Sequence, residues 1–303
     1  PSLPMLRGSP YLAAPRFIGR QREMDQADAF LLRTLGKSPF GEQRQGGPSI
    51  LTISGEPGVG KSRLVGKVMR MAAEYDAVHL VGQCKAEIGQ AYESLQRLFS
   101  WLEGMDKNER FAPKEADLLS TTLSRFERVP TTADSEFQLL NQSPESEQDI
   151  LQQIELRNRL LHEQVTGRFL RLSRHMPLCV VLEDLQWMDE SALSSLRYLC
   201  RNAALARQQG HPGRFAFVLT FRPLPQSDHP VTDFLEEQAT FEPAPLALPL
   251  TPLAIISTVE LTASLLMEPA DERMEAFCGA VFGRRPHTPL YIEQTLRILL
   301  YQG

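Results

Sequence analysis

The sequence predicts an α/β fold in which a mostly parallel sheet is covered by helices and followed by a small helical domain. Three observations lead to this prediction. Short apolar runs rich in β-branched residues alternate with helical patterns as far as about residue 220, which is typical of parallel sheets. A glycine-rich loop joins the first of these runs to a helix. After residue 250 the periodicity becomes purely helical.

The individual elements follow in order from their periodicity. Helical spacing of apolar residues predicts helices over residues 23–35, 64–72, 92–102, 150–174 and 190–206. Apolar, β-branched runs predict strands over residues 49–54, 77–82, 178–182 and 215–220. Three more helices are predicted over residues 255–267, 271–282 and 291–301. Because no strand interrupts them, we expect these three to form a bundle of their own.

Length and composition are those of an ordinary globular protein with about two domains. The chain has 303 residues, of which 42% are hydrophobic and 23% charged. We expect an extended lead-in over residues 1–15, an α/β domain over 16–250 and a helical lid domain over 251–303. A polar, acidic stretch at about 130–148 is predicted to be a mobile insertion. The proline-rich start suggests a part of a longer polypeptide.

Charge, cysteine usage and hydropathy argue against several classes of function. A net charge of −5 provides no overall attraction to nucleic acid, so direct nucleic-acid binding is not expected. The four cysteines are too widely spaced for a Cys-x-x-Cys site, and we expect reduced, buried thiols in a cytoplasmic protein. The longest largely apolar stretch, residues 244–256, is interrupted by prolines and too short to span a bilayer, so no membrane association is expected.

Residues 55–62 fit the phosphate-binding pattern G-x-x-x-x-G-K-[ST] in full. Glycines let backbone N–H groups approach a polyphosphate, and the start of the following helix adds free amides and the positive end of its dipole. Lys61 is predicted to reach the β- and γ-phosphates, and Ser62 to ligate Mg²⁺. The predicted nucleotide-binding residues here are Gly55, Glu56, Pro57, Gly58, Val59, Gly60, Lys61, Ser62 and Arg63. The motif and its context predict a P-loop NTPase three-layer sandwich.

Two further strand ends carry residues suited to the same ligand. Glu183 and Asp184 follow an apolar strand, and α/β sheets place ligands at the carboxyl ends of their strands. Adjacent strand side chains point in opposite directions, so one acid is expected to serve the metal and the other to orient the attacking water. Position favours Glu183 for the metal, but the reverse assignment stays open. Arg222 ends another strand and is predicted to sense the γ-phosphate; a surface arginine is the alternative.

Four motifs together resemble the AAA-type ATPase domain of STAND signalling ATPases. They are Phe17-Ile18-Gly19-Arg20 with Glu23, the P-loop, Leu182-Glu183-Asp184-Leu185-Gln186-Trp187 with Asp189, and Thr220-Phe221-Arg222-Pro223. In that family the module is fused to LuxR-type DNA-binding, nucleotide-cyclase or protein-kinase domains. The resemblance spans about residues 16–301 and implies ATP or ADP with Mg²⁺ as the ligands.

The resemblance also implies contacts outside the P-loop. Phe17 and Ile18 are expected to lie against the adenine, with the edge of a core strand as the alternative for this pair. A Gly-x-Pro motif on the lid of these proteins touches the nucleotide, and Pro289 matches its proline. His287 stands where the family has glycine, and its side chain is expected to crowd the close backbone approach that glycine allows.

The predicted function is therefore an ATP/ADP-binding signalling switch with slow or regulated hydrolysis. It would be a module of a larger regulator with a fused or associated output domain. One alternative is an oligomeric AAA+ remodelling or DNA-loading ATPase, which needs a nucleotide-dependent ring and an arginine from a neighbour; Arg197 and Arg201 are candidates. The other is a scaffold that nucleotide only stabilises, and the paired acids argue against it.

Overall fold

A computed structural model describes residues 12–13, 16–36, 49–85, 93–95, 98–102, 147–210, 213–224 and 229–302. Five strands have been assigned: β1 (Ile50–Ser54), β2 (Val78–Gln83), β3 (Leu178–Glu183), β4 (Phe215–Phe221) and β5 (Leu246–Pro249). The helices are α1 (Gln21–Thr34), α2 (Lys61–Ala73), α3 (Glu147–His175), α4 (Glu190–Gln208), α5 (Pro230–Ala239), α6 (Ile255–Leu266), α7 (Glu272–Phe282) and α8 (Pro289–Gln302). Short 3₁₀ turns lie at Glu93–Leu95 and Leu185–Trp187.

The five strands form one parallel sheet in the order β2-β3-β4-β1-β5. Alternate residues of each central strand enter opposite layers of core, as the two-residue period of a strand requires. In β3, Leu178, Val180 and Leu182 face the core under α3, α4 and α5, whereas Cys179 and Val181 face α1 and α2. The predicted three-layer α/β sandwich is confirmed, and the P-loop joins β1 to α2.

Most predicted elements are found within a few residues of their expected bounds, but two were missed. Helix α5 begins at Pro230 and is capped by the His229 side chain, which accepts a hydrogen bond from Val231 N–H. Strand β5 lies in a proline-rich stretch whose residue pattern did not predict a strand. It pairs only with β1, at the edge of the sheet, where a missing N–H donor costs no ladder bond.

Two other predictions fall largely on residues that the structure does not describe. The predicted mobile insertion at about 130–148 lies outside the described residues except at its end, where residues 147 and 148 already belong to α3. The predicted helix over 92–102 is described only as the turn at Glu93–Leu95 and as helix over 98–102.

Helices α6, α7 and α8 surround a third core, the lid core, whose central residues include Leu253, Met274, Ile292 and Leu296. The lead-in contributes to this core, since Leu12 packs against it and Ala13 N–H donates to the Leu265 carbonyl at 2.9 Å. Ile18 packs against the same core. The chain passes from sheet to lid over a few residues: Leu250 N–H bonds the β1 residue Ser54, and Leu253 N–H bonds His287.

Neither a transmembrane helix nor a multi-residue metal cage is found in the part of the chain that the structure describes. No described helix is long and apolar enough to cross a membrane. No group of three or more His, Cys, Asp or Glu side chains comes together there in a way that would hold a metal ion. The four cysteines are buried and unpaired, as the sequence predicts.

Candidate nucleotide site

The P-loop turns sharply around glycines whose backbone angles other residues rarely adopt. Gly58 and Gly60 have φ angles of 77° and 105°. Gly60 is the N-cap of α2 and supplies no side-chain hydrogen bond to the helix. The first N–H groups of a helix have no acceptor within it, and they lie at the positive end of its dipole. The start of α2 therefore presents backbone donors suited to an anion.

Lys61 lies within this loop, where its Nζ donates to the carbonyls of Gly55 at 2.7 Å and Glu56 at 3.2 Å. Burial lowers the pKa of Lys61 below its ordinary value of 10.5. The charge of Asp184 opposes this shift, while the charge of Arg222 adds to it. The side chains from three different strand ends are thus close enough to interact electrostatically.

The two acids after β3 have different surroundings. Glu183 Oε2 accepts a hydrogen bond from Ser62 Oγ at 2.7 Å, which joins the end of β3 to the start of α2. Asp184 has a φ of 58°, in the left-handed region that few non-glycine residues adopt. Its N–H donates to Thr220 Oγ1 at 3.1 Å, which ties β3 to β4.

Gln186 connects Asp184 to Arg222. Its Nε2 donates to Asp184 Oδ1 at 3.0 Å, and its Oε1 accepts from Arg222 N–H at 3.1 Å. The Arg222 Nε lies 3.9 Å from the same Asp184 oxygen, and the Arg222 side chain is 46% exposed. The guanidinium is therefore held near the acids while part of it remains accessible.

The structure thus brings Lys61, the Glu183/Asp184 pair and Arg222 together at the carboxyl ends of β1, β3 and β4. Such an edge of a parallel α/β sheet is where ligands bind. Arg63, on the first turn of α2, is exposed. Trp187 is also exposed, with 46% of its surface accessible.

Phe17 and Ile18 are both half-buried and pack against different cores. Phe17 lies against the core that contains α1 and α2, and the Lys67 Nζ is 5.7 Å from its ring centroid. Ile18 lies against the lid core. The pair therefore sits where the α/β part meets the lid, and both side chains also have core contacts.

The lid touches the P-loop next to Pro289. Leu290 N–H donates to the Gly58 carbonyl at 3.3 Å, and Pro289, the first residue of α8, is half-buried. His287 is part of the lid packing: its Nε2 lies 2.8 Å from the Phe282 carbonyl, and its ring stacks on Tyr291 with centroids 4.8 Å apart.

Sequence reasoning gave no role to three residues that hold this site together. Thr220 and Gln186 make the bonds described above. Arg20 is buried, with 7% of its surface exposed, and its guanidinium donates to the carbonyls of Val59 in the P-loop and Thr251 beside the lid. It also pairs with Glu23 at 3.1 Å. All three residues occur within the four motifs quoted from the sequence. Their place in these motifs is the only feature of the sequence that could have pointed to them.

A parallel sheet with a P-loop after its first strand and an acidic strand end beside that loop defines a P-loop NTPase. The model of the AAA ATPase domain family matches residues 16–212, more than half of the chain. The chain belongs to this family, and it is an ATPase domain of the AAA type. No curated protein matches the sequence.

Several solved structures are similar to this chain. A chain of the E. coli MS115-1 HORMA:CdnC:Trip13 complex is 11% identical over 95% of this chain and 89% of that chain, with a TM-score of 0.44. The Walker-type ATPase PABY2304 of Pyrococcus abyssi is 13% identical over 97% and 76%, with a TM-score of 0.42. The ADP form of the Aeropyrum pernix ORC2 protein is 11% identical over 96% and 64%, with a TM-score of 0.46.

Proposed function

We propose that this ATPase domain is an ATP/ADP-binding signalling switch of the STAND type, with slow or regulated hydrolysis, within a larger cytoplasmic regulator. One observation carries the proposal: the lid is hydrogen-bonded to the loop that would hold the phosphates. Leu290 N–H donates to the Gly58 carbonyl. The P-loop would contact both the nucleotide phosphates and Leu290 of the lid. A change in the bound phosphates would therefore change the contact between the P-loop and the lid. Biasing a packed element between two arrangements is how such switches act.

Arg20 supports this coupling by a second route. It is bonded to the P-loop at Val59 and to Thr251, which lies between β5 and α6. A shift of the P-loop would therefore be felt at the start of the lid as well as at Leu290. We place the boundary between the two domains at about residue 250, where backbone bonding passes from Ser54 in β1 to His287 in the lid.

The arrangement suits a magnesium nucleotide. Backbone amides of the P-loop and Lys61 would hold the phosphates, as in other P-loops. Ser62 and Glu183, whose oxygens are 2.7 Å apart, would hold Mg²⁺, which takes only one or two carboxylates and completes its shell with phosphate and water oxygens. Bound Mg²⁺ would neutralise negative charge on the phosphates.

The remaining polar groups would act on the attacking water and the γ-phosphate. Asp184 is held by Gln186 and Thr220 and would orient the water. Arg222 is held by Gln186 through its backbone and would contact the γ-phosphate through its guanidinium. Phe17 and Ile18 would lie against the adenine, and Arg63 and Pro289 would border the nucleotide. These contacts involve only the nucleotide, Mg²⁺ and residues of this domain, and they identify neither the output domain nor the signal.

The ring-forming alternative keeps its two candidate arginines, whose surroundings differ. Arg197 Nε lies 3.0 Å from Glu237 Oε2 on α5, in a partly exposed ion pair. Arg201 is exposed and remains a candidate. A nucleotide-dependent hexamer whose hydrolysis depends on Arg201 would favour the ring; a monomer that retains ADP would favour the switch.

Amide hydrogen exchange tests the switch directly. With a non-hydrolysable ATP analogue, we expect slower exchange at the start of α8, including the Leu290 amide, than with ADP. Lys61→Ala is the control, because it removes the phosphate-binding cation and should abolish the difference. Equal protection of α8 in both nucleotide states, in a protein shown to bind both, would contradict the switch. Unchanged nucleotide affinity in Lys61→Ala would contradict the site itself.

A further inference from the structure

A second feature, the basic cleft, runs along α2 beside the candidate nucleotide site. Its volume is about 490 Å³, and it is lined by Arg16, Phe17, Arg63, Gly66, Lys67 and Arg70. Four of these six residues are cationic, and none is acidic. Arg16, Arg63 and Arg70 are exposed, and Lys67 is half-buried. In a chain with a net charge of −5, this is a local concentration of positive charge.

The three cations of α2 form a line. Arg63, Lys67 and Arg70 are spaced four and three residues apart, so their side chains share one face of the helix. At 1.5 Å per residue the line covers about 10 Å along the helix axis.

Phe17 positions one of these cations. The Lys67 Nζ lies 5.7 Å from the Phe17 ring centroid, within the range of a cation–π contact, and the ring packs on the core below. The ring therefore holds Lys67 within the cleft. The lining also lacks Asn, Gln, Asp and Glu, the side chains that read base edges apart from arginine and lysine.

We propose that the basic cleft binds the phosphate backbone of nucleic acid without regard to sequence. One strand of B-form DNA carries a phosphate about every 3.4 Å, so a line of about 10 Å faces roughly three of them. Arginine, which supplies three of the four cations, binds phosphate through two parallel hydrogen bonds. Because the contacts are to phosphates, duplex and single strand should both bind.

This inference goes beyond the proposed switch, although the cleft shares Phe17 and Arg63 with the proposed nucleotide contacts. It also differs from the expectation based on net charge, because a chain of negative net charge can still carry a local basic face. Binding through a few phosphates would be weak and strongly salt-dependent.

Fluorescence anisotropy with a labelled 20-base-pair duplex of mixed sequence tests the proposal. We expect binding at 50 mM salt, with a plot of log affinity against log salt falling with a slope of about −3. The double variant Lys67→Glu/Arg70→Glu should bind at least tenfold more weakly with a shallower slope. The double variant Arg273→Glu/Arg285→Glu, at two exposed arginines outside the cleft, carries the same change in charge; it is the matched control and should bind like the wild type.

Further measurements keep the test decisive. Nucleotide binding by the double variant shows that it is folded, and Arg16→Glu, which lies outside every helix, provides a second variant if α2 unfolds. No binding at 50 mM salt, or equal binding by wild type and variants, would overturn the proposal. So would displacement of the duplex by poly-glutamate at equal charge concentration, since an acidic protein surface would then be the better ligand.

Discussion

At the scale of single residues, Glu183 and Asp184 show how neighbours with the same charge come to differ. Glu183 ends a regular strand and reaches Ser62, whereas Asp184 turns into the left-handed region and is held by Gln186 and Thr220. The sequence leaves open which acid serves the metal. The contact with Ser62 favours Glu183 for this role and leaves Asp184 to orient the water.

Asp184→Asn and Glu183→Gln should therefore fail in different ways. Asparagine tolerates the left-handed region, so Asp184→Asn should keep its backbone and bind ATP nearly as well as the wild type. Its single-turnover hydrolysis should fall by about 10²–10⁴-fold, the usual contribution of general base catalysis. Glu183→Gln should instead need more Mg²⁺ for the same rate. Magnesium titrations of both variants check this, and the opposite pattern would reverse the two roles.

The lowered pKa of Lys61 predicts how nucleotide affinity depends on pH. Burial favours the neutral amine, so Lys61 loses its proton below the ordinary pKa of 10.5. Phosphate binding requires the charged amine, and affinity should accordingly start to fall at a lower pH than a free lysine predicts. Nucleotide Kd measured from pH 7 to 10 checks this expectation. Lys61→Arg, which stays charged over this range, is the control; an equal fall in that variant would show that another group is responsible.

At the scale of elements, the P-loop and α8 are in direct contact. A Cβ added at Gly58 would lie 2.6 Å from the Leu290 Cβ, closer than real side chains approach. At Gly60 a Cβ would meet nothing within 4 Å. Both glycines have left-handed φ angles, so the two positions share the backbone requirement and differ in the lid contact.

Substituting these two glycines separates backbone strain from the lid contact. Gly60→Ala should cost about 1–2 kcal/mol of unfolding free energy from strain alone. Gly58→Ala should cost about 1–3 kcal/mol more, because the new methyl group overlaps Leu290. Urea unfolding of both variants without nucleotide measures the difference. Only Gly58→Ala should also speed exchange of the Leu290 amide; equal effects at the two positions would mean that the contact is unimportant.

The sequence predicted those helices and strands whose burial requires a recognisable pattern of apolar residues. Strands β1, β3 and β4 are central and buried on both faces, and this produces nearly continuous apolar runs. Strand β5 has one neighbour among the described strands, ends in Pro249 and follows Pro243 and Pro245, so neither its pattern nor its composition indicated a strand. Helix α5 has only ten residues, too few for a strong periodic signal, and depends on its proline and histidine cap.

At the scale of the whole molecule, the buried apolar side chains of the described residues form three cores. One lies on each face of the sheet, and the third lies in the lid. The four cysteines are distributed over all three. Cys84 and the α4 residue Cys200 belong to the core on the side of α3 and α4, Cys179 lies in the core beneath α1 and α2, and Cys278 lies in the lid core. Each thiol therefore reports on the integrity of the core that contains it.

Native protein should accordingly resist thiol reagents. Burial raises the pKa of Cys84 and of Cys179 to about 12, and it raises the pKa of Cys200 and Cys278 as well. Little reactive thiolate then exists at pH 8. We expect slow reaction with a disulfide reagent in buffer and four rapid equivalents in denaturant. Because unfolded thiols ionise at lower pH, stability should fall as the pH rises above about 9. Rapid reaction of any native thiol would contradict this burial.

The sequence by itself determined the class of fold and the phosphate-binding loop, because both depend on short segments whose residue types serve local needs. Glycines permit the turn, alternation places strand residues in two cores, and a helix start provides amides. Only the tertiary structure decided which groups meet. The bond from Ser62 to Glu183 crosses 121 positions, and that from Leu290 to Gly58 joins α8 to the P-loop. Such contacts are set by how the strands are ordered and how the lid packs, and no local pattern records them.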